Sequence, residues 1–297
     1  MDPSLGRERA KYITSVVLYG TIGMFLRFVS LPSELVAMCR GTIGSVFILA
    51  FLAFRHTRPD TAAIKKNLKW LIISGICLGF NWIFLFAAYM ETTVAIASLC
   101  NYMAPLIVIV VAPLVLHEKL EVRKLPCVLA ALIGIVLVSG VTEGGTGNPI
   151  GVVFGLSAAV CFVIIVLCNR KLRDISAYDR SIVQLALSAV TILPYYIMHN
   201  PGKPLYISTI SIPIVLMLGL VHTGIAYCLY FSGMATLPVQ TVAILGYLEP
   251  VVSVLCSAVF LAEPMSITGW IGAVLIIAAA VVSELIPSKA APATQGH

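Results

Sequence analysis

The strongest constraint on this chain is where its charges are missing. Residues 12–286 read as ten apolar stretches, over approximately 12–29, 33–54, 68–89, 93–116, 122–140, 150–168, 181–198, 211–233, 237–261 and 266–286. Each approaches the ~20 apolar residues that a helix needs to cross a hydrocarbon core. Charged residues make up 11% of the chain, against roughly 25% in a soluble domain. An all-α integral membrane protein follows. The ten stretches use nearly all of the chain, so no soluble catalytic unit is expected. The first stretch runs too long and lacks an A-x-A site, so it reads as a retained helix rather than a cleaved leader.

The basic residues set the threading. Arg7, Arg9 and Lys11 precede the first stretch. Arg55, Arg58, Lys65, Lys66 and Lys69 follow the second; Lys119, Arg123 and Lys124 follow the fourth; Arg170, Lys171, Arg173 and Arg180 follow the sixth; Lys289 lies in the tail. Sixteen of the nineteen Lys and Arg thus fall on one side, Lys203 alone on the other, and Arg27 and Arg40 inside spans. The positive-inside rule then puts both termini in the cytoplasm and requires an even number of spans. The expected location is the cell (inner) membrane. The net charge of +6 is an orientation signal and implies no nucleic acid. All eight cysteines fall within spans, without metal-ligand spacing, and read as small apolar packing residues.

An internal repeat divides the chain. Asn101-Tyr102-Met103-Ala104-Pro105 matches Gly246-Tyr247-Leu248-Glu249-Pro250, with both the tyrosines and the prolines 145 residues apart. Thirteen residues after each proline stands a glutamate, Glu118 and Glu263. A copy with an odd number of crossings must be followed by one of opposite topology, an architecture that many secondary transporters use. Residues 12–140 and 150–286 are the expected five-helix repeats around a central cavity, with 1–11 and 287–297 as cytoplasmic tails.

Further residues carry a resemblance. Tyr19-Gly20 in the first span, Arg40 eight residues after Pro32, the run to Pro105-Leu106, then His117-Glu118-Lys119-Leu120 and a glycine-bearing fifth span look like one unit of the EamA family, in the drug/metabolite transporter superfamily. Leu248-Glu249-Pro250 and Ala262-Glu263-Pro264 repeat it. The resemblance covers nearly the whole chain. It implies ten helices in two inverted halves and transport of small organic solutes, with export from the cytoplasm. The chain departs from the family where Trp-Gly is frequent, having Tyr19-Gly20, and where Gly-Glu is common, having His117-Glu118 and Ala262-Glu263.

The polar residues inside spans are the candidate site. Arg40 is either a cationic anchor for a solute carboxylate, since a guanidinium offers a bidentate fork, or a tie to backbone carbonyls, Glu34 or Glu249. Glu249 is either a proton-coupling group or the holder of a helix break. Pro105 and Pro250 each remove a backbone donor and are the expected breaks, freeing the carbonyls of Asn101 and Gly246. Gly75, Gly79, Trp82, Phe86 and Tyr89 form one stripe on the third span, with Asn81 beside it. Tyr227 and His222 lie deep in span eight, and Tyr230 reads as an interfacial residue. His222 is expected to bond another helix or to gate. Arg27 is expected to snorkel outward or to pair with Glu34 or Glu91, and Glu118 and Glu263 each to cap the following helix. The expected solute contacts are Arg40, Asn81, Trp82, Asn101, Tyr102, Tyr227, Tyr247 and Glu249, with Glu249 and His222 in coupling or gating.

No phosphate-binding Gly-rich loop is present, and no G-x-S-x-G or H-E-x-x-H motif. The leading reading is therefore a secondary carrier of amino-acid-like or amphipathic solutes working by alternating access. A broad exporter of hydrophobic cations is the second. A membrane-embedded enzyme or a channel is the reading from another class. No cofactor or metal is expected. The expected partners are the solute, membrane lipid, a coupled proton and a second copy of the chain.

Overall fold

The computed structural model describes residues 3–116, 122–138, 148–200, 206–237, 245–246 and 248–286. Tyr247, Glu118, Lys203 and both ends of the chain, 1–2 and 287–297, lie outside them, as does the side chain of Pro105.

The regular structure of the described residues is all helical. The helices are α1 (Pro3–Leu26), α2 (Ser33–Phe54), α3 (Thr61–Lys66), α4 (Leu68–Glu91), α5 (Val94–Asn101), α6 (Ala104–Leu116), α7 (Leu125–Val138), α8 (Pro149–Lys171), α9 (Ala177–His199), α10 (Ser211–Gly219), α11 (Ala226–Thr236), α12 (Leu248–Val259) and α13 (Ile267–Leu285). Local chemistry starts them where the sequence changes from polar to apolar. Thr93 caps α5 through the Ile96 amide, and Asn148 caps α8 through that of Ile150, with Pro149 pre-set in the first turn. Ser176 caps α9 and Ser266 caps α13.

Among the described residues, five helical stretches are long and apolar enough to cross a membrane: Ser33–Phe54, Leu68–Glu91, Pro149–Lys171, Ala177–His199 and Ser211–Gly233. Shorter apolar helices, among them Leu248–Val259 and Ile267–Ser283, pack with them. Large apolar side chains such as Val46, Phe54, Leu129, Ile133, Val153, Val190 and Val274 face outward. That is the expected exterior of a bundle solvated by lipid.

The fourth span is interrupted. Tyr102 and Met103 leave the helix between α5 and α6, and the Met103 amide turns back to the Cys100 carbonyl at 3.1 Å. Pro105 then occupies the second position of α6, where its missing N–H leaves no bond unmade. Pro105 thus opens a half-helix. Pro250 is buried in α12, and because Tyr247 precedes that helix, the break expected there lies outside the described residues. The second departure from a straight helix is a π-helical turn, Leu220–Ile225, joining α10 to α11.

The packing pairs the helices in a two-fold pattern. α1 packs on α11 and α12, and α8 packs on α4 and α5. α2 packs on α9, and α7 on α13. Glycines let backbones meet: a Cβ on Gly20 would lie 2.6 Å from the Glu249 carbonyl, and one on Gly155 would lie 2.7 Å from Cys100 Cβ. Gly75 and Gly79 of α4 seat against Leu187, Ser188 and Thr191 of α9 in the same way.

Among the described residues, polar contacts between connections join segments that the charge pattern places on the same side. At the end rich in basic residues, Lys66 bonds Asp174 at 2.9 Å, and Asn67 donates to the Arg173 carbonyl at 2.8 Å. At the opposite end, Ser30 bonds Ser211 at 3.0 Å, and Asn148 donates to Glu91 at 2.7 Å.

Candidate functional site

Two interruptions of regular helix lie near the polar residues of the bundle, and the site is built around them. The break at Tyr102–Met103 leaves Asn101 and Tyr102 half-buried at the bundle centre. Across from them, Glu249 of α12 lines the same cavity as Tyr102. Four residues on, Ser253 Oγ meets Ser98 Oγ at 2.6 Å, and Ser98 in turn lies 3.3 Å from the Tyr89 hydroxyl. These groups, with Tyr19, Gly20 and Leu85, enclose a cavity of about 20 Å³, enough for about one water molecule.

Arg40 lies beside this cavity, on α2, and is 4% exposed. Its guanidinium carbon stands 4.8 Å from the centre of the Trp82 ring and 5.7 Å from that of Phe86. Its Nε donates to Thr223 Oγ1 at 3.3 Å. Among the described residues it makes no ion pair, so neither Glu34 nor Glu249 is the partner the sequence suggested. A cation–π seat supplies roughly 0.5–2 kcal/mol. An arginine at mid-span costs ~2.5–3.5 kcal/mol on insertion scales. The rings alone do not offset that cost, and the two terminal NH₂ groups make no hydrogen bond to the described residues.

The π turn supplies the remaining contacts. It lets Thr223 Oγ1 donate to the Leu218 carbonyl at 2.9 Å while accepting from Arg40. It also turns His222 to Thr21 of α1, 3.0 Å from Nε2. His222 therefore makes a helix–helix hydrogen bond here. Its Nδ1 faces the Met217 carbonyl without meeting hydrogen-bond geometry. π turns recur at functional sites because they re-aim side chains.

Aromatic rings continue from the site toward the basic end. Tyr227 meets Tyr19 at 5.9 Å and Phe231 at 5.6 Å, edge to face. Tyr230 packs on Tyr12 at 5.0 Å and on Tyr19 at 6.0 Å. It is an internal residue, not the interfacial one its position suggested.

Of the sequence-derived candidates, Arg40, Trp82, Asn101, Tyr102, Tyr227 and Glu249 are brought together. Asn81 is placed differently: its amide donates to the Ala158 carbonyl at 2.8 Å and to Asn101 Oδ1 at 3.2 Å, tying α4 to α8. Tyr19, Ser98 and Ser253 join the group unannounced. Helical spacing carried the signal for two of them, since Ser98 lies three residues before Asn101 and Ser253 four after Glu249.

The other polar pairings are corrected as well. Arg27 bonds neither Glu34 nor Glu91; its Nη2 holds Glu263 Oε1 at 2.7 Å and the Thr92 carbonyl at 2.8 Å. Glu263 does not cap the helix that follows it, which Ser266 caps. Its Oε2 accepts from the Val94 amide at 2.9 Å, at the start of α5 in the other half of the chain.

The model of the EamA-like transporter family matches residues 11–140 and again 149–284. The chain belongs to that family. It is 26% identical to the uncharacterized transporter YxxF of Bacillus subtilis (strain 168), over 93% of this chain and 91% of that one. It is 30% identical to an uncharacterized transporter of Archaeoglobus fulgidus, over 92% and 95%. It is 28% identical to the aromatic amino acid exporter YddG of Ancylobacter novellus, over 93% and 96%. One solved crystal structure superposes with a TM-score of 0.67 at 21% identity, over 94% of this chain and 98% of that one. That likeness concerns the fold alone. As a member of the family the chain is a multi-pass membrane transporter.

Proposed function

We propose that this transporter is a secondary carrier, not an enzyme, which exports small amphipathic solutes bearing a carboxylate and an apolar body, such as aromatic amino acids. The observation that carries this reading is Arg40: buried, seated over Trp82 and Phe86, and free of any acidic partner among the described residues. A solute carboxylate supplies the missing acceptor in bidentate form, while the rings of Trp82, Tyr19 and Tyr227 take the apolar body. Glu249 stands across the cavity and takes the solute's amino group, or a proton when the solute has left. The relative named as an aromatic amino acid exporter supports the same solute class. An unpaired arginine at the site also works against the alternative cargo, a hydrophobic cation, which it repels.

The cavity holds about one water, so loading requires the halves to part. Arg27–Glu263 joins them at one end, and Tyr12–Tyr230 with Lys11–Glu8–Ser232 at the other. Opening these in turn gives alternating access. The basic end is the cytoplasmic one by the positive-inside rule, which puts both termini in the cytoplasm and the protein in the inner membrane.

The test is counterflow of tryptophan into proteoliposomes. Arg40→Ala should lower the rate more than about tenfold, the worth of a charge-assisted hydrogen bond, while the protein purifies with an unchanged melting temperature. Full transport by that variant overturns the reading.

A further inference from the structure

A second open space lies at the basic end, between the close of α2 and the opening of α9. It measures about 300 Å³ and is lined by Phe51, Leu52, Arg55, Thr57, Arg58, Ser176, Tyr178 and Asp179. That is far larger than the central cavity and at the lower bound of small-molecule pockets (about 300 Å³). Its wall is amphipathic. Arg55 lies over the Phe51 ring at 5.8 Å, and neither Arg55 nor Arg58 makes an ion pair among the described residues. The one carboxylate present, Asp179, is 5% exposed and already accepts from Ser176 Oγ at 2.8 Å.

The groove connects to the central site through rings. Phe51 meets Tyr178 at 5.9 Å, Tyr178 meets Phe231 at 6.0 Å, and Phe231 meets Tyr227 at 5.6 Å. Midway, Arg180 stands over Phe231 at 5.8 Å, with no hydrogen bond or ion pair from its side chain to the described residues. Arg40 lies at the far end, bonded through Nε to Thr223, four residues before Tyr227. Positive charge therefore recurs along one aromatic path: at the groove, at its middle and at its end.

We infer that this groove is a loading site, where Arg55, Arg58 and Arg180 collect the carboxylate end of the amphipathic solute before it passes along the rings to Arg40. The inference rests on the solute class proposed above. A flexible, solvated arginine pair at the mouth binds weakly and releases quickly, as a first station should. The rings offer the apolar body a continuous surface, so the solute does not have to be fully rehydrated between stations. The same three arginines also suit an anionic lipid headgroup, and the two sources differ in what the rate depends on.

A loading station speeds entry without altering equilibrium binding at the centre. The double variant Arg58→Gln/Arg180→Gln should therefore lower kcat/KM for tryptophan presented at the basic face by about tenfold, the scale of electrostatic guidance. The equilibrium Kd for tryptophan should stay that of the native protein, and Arg58→Lys/Arg180→Lys should restore the rate. The native rate should fall with ionic strength more steeply than that of the glutamine variant. All of this is measured in vesicles of phosphatidylcholine alone. An unchanged kcat/KM in those vesicles overturns the inference. So does a loss that appears only when anionic lipid is added, which would assign the groove to headgroups. A loss of kcat/KM with a matching rise in Kd overturns it too, as damage to the centre. If Arg40→Ala leaves tryptophan binding intact, the central site fails instead, whatever the groove variants do.

Discussion

Arg27, at the end of α1, holds Glu263, just beyond α12, with 2.7 Å between Nη2 and Oε1. The two residues stand 236 positions apart and belong to opposite halves of the chain. Glu263 does more than pair. Its Oε2 accepts from the Val94 amide at 2.9 Å and from Ser257 Oγ at 2.6 Å, so one carboxylate ties α1, α5 and α12 together. The favourable dipole at the start of α5 adds to the tie.

The two ends of this pair should not be equivalent. Arg27→Ala removes one partner and leaves the carboxylate with two donors, at a cost of about 1–2 kcal/mol. Glu263→Ala strands Arg27, the Val94 amide and Ser257 together, at a cost of about 3 kcal/mol or more. Melting of the detergent-solubilised protein should thus show the larger drop for Glu263→Ala. Equal drops would mean that the ion pair alone matters and the amide bond does not.

Asn81 offers a sharper separation of structure from binding. It is 4% exposed, and its amide nitrogen serves the Ala158 carbonyl and Asn101 together. Asn81→Ala should cost about 1–3 kcal/mol of stability by unmaking both bonds. Asn81→Asp should cost more, since it turns a carboxylate toward a carbonyl oxygen. The KM for tryptophan should hold in Asn81→Ala once rates are corrected for folded protein. A raised KM with an unchanged melting temperature would return Asn81 to the solute contacts.

How much of this is legible in sequence depends on the range of the forces involved. The spans are legible because lipid punishes every exposed polar group, so apolar length is read directly; the stretch 33–54 coincides with α2, Ser33–Phe54. The expected threading rests on loop charge, which is counted and not positioned. The fourth span's break shows itself through Pro105. Partner choice does not show itself. Arg27 has Glu34 and Glu91 near it in sequence, yet Glu263 wins because the halves interleave and bring α1 against α12. The π turn is hidden for a related reason. No glycine–proline break in Leu220–Ile225 announces it, and the partner that Thr223 meets there, Arg40, lies on another helix 183 positions away. Serines 98 and 253 are small, common in membrane helices, and conspicuous only once they meet.

At the basic end, Glu8 carries a pH dependence. Lys11 at 2.7 Å and the Ser232 hydroxyl at 2.9 Å hold its carboxyl below the usual carboxylate range. A carboxyl whose folded-state value is depressed stabilises the fold above its unfolded value and stops doing so as the pH falls through the folded one. The contribution is therefore complete at about pH 7 and fades below about pH 4. Glu8→Gln should melt below the native protein at neutral pH and converge with it in acid. A constant gap across that range would show that the tie between α1 and α11 does not depend on charge.

The last prediction concerns Ala262, where the family resemblance leads one to expect glycine. Ala262 has φ of 49°, in the left-handed region, and this turn aims Glu263 back at Arg27 and Val94. A Cβ in that conformation costs about 1–2 kcal/mol. Glycine removes the clash, and it loosens the unfolded chain by about 0.4–1 kcal/mol in return. Ala262→Gly should therefore raise stability by about 0.5 kcal/mol and leave the Arg27–Glu263 pair in place. The double variant Ala262→Gly/Arg27→Ala then discriminates. If the turn exists to aim Glu263, the gain from glycine should shrink once Arg27 is gone, because a freer backbone no longer has that partner to hold it. Additive melting shifts would show instead that the turn and the ion pair are independent, and that Ala262 is strained for no benefit at this end of the bundle.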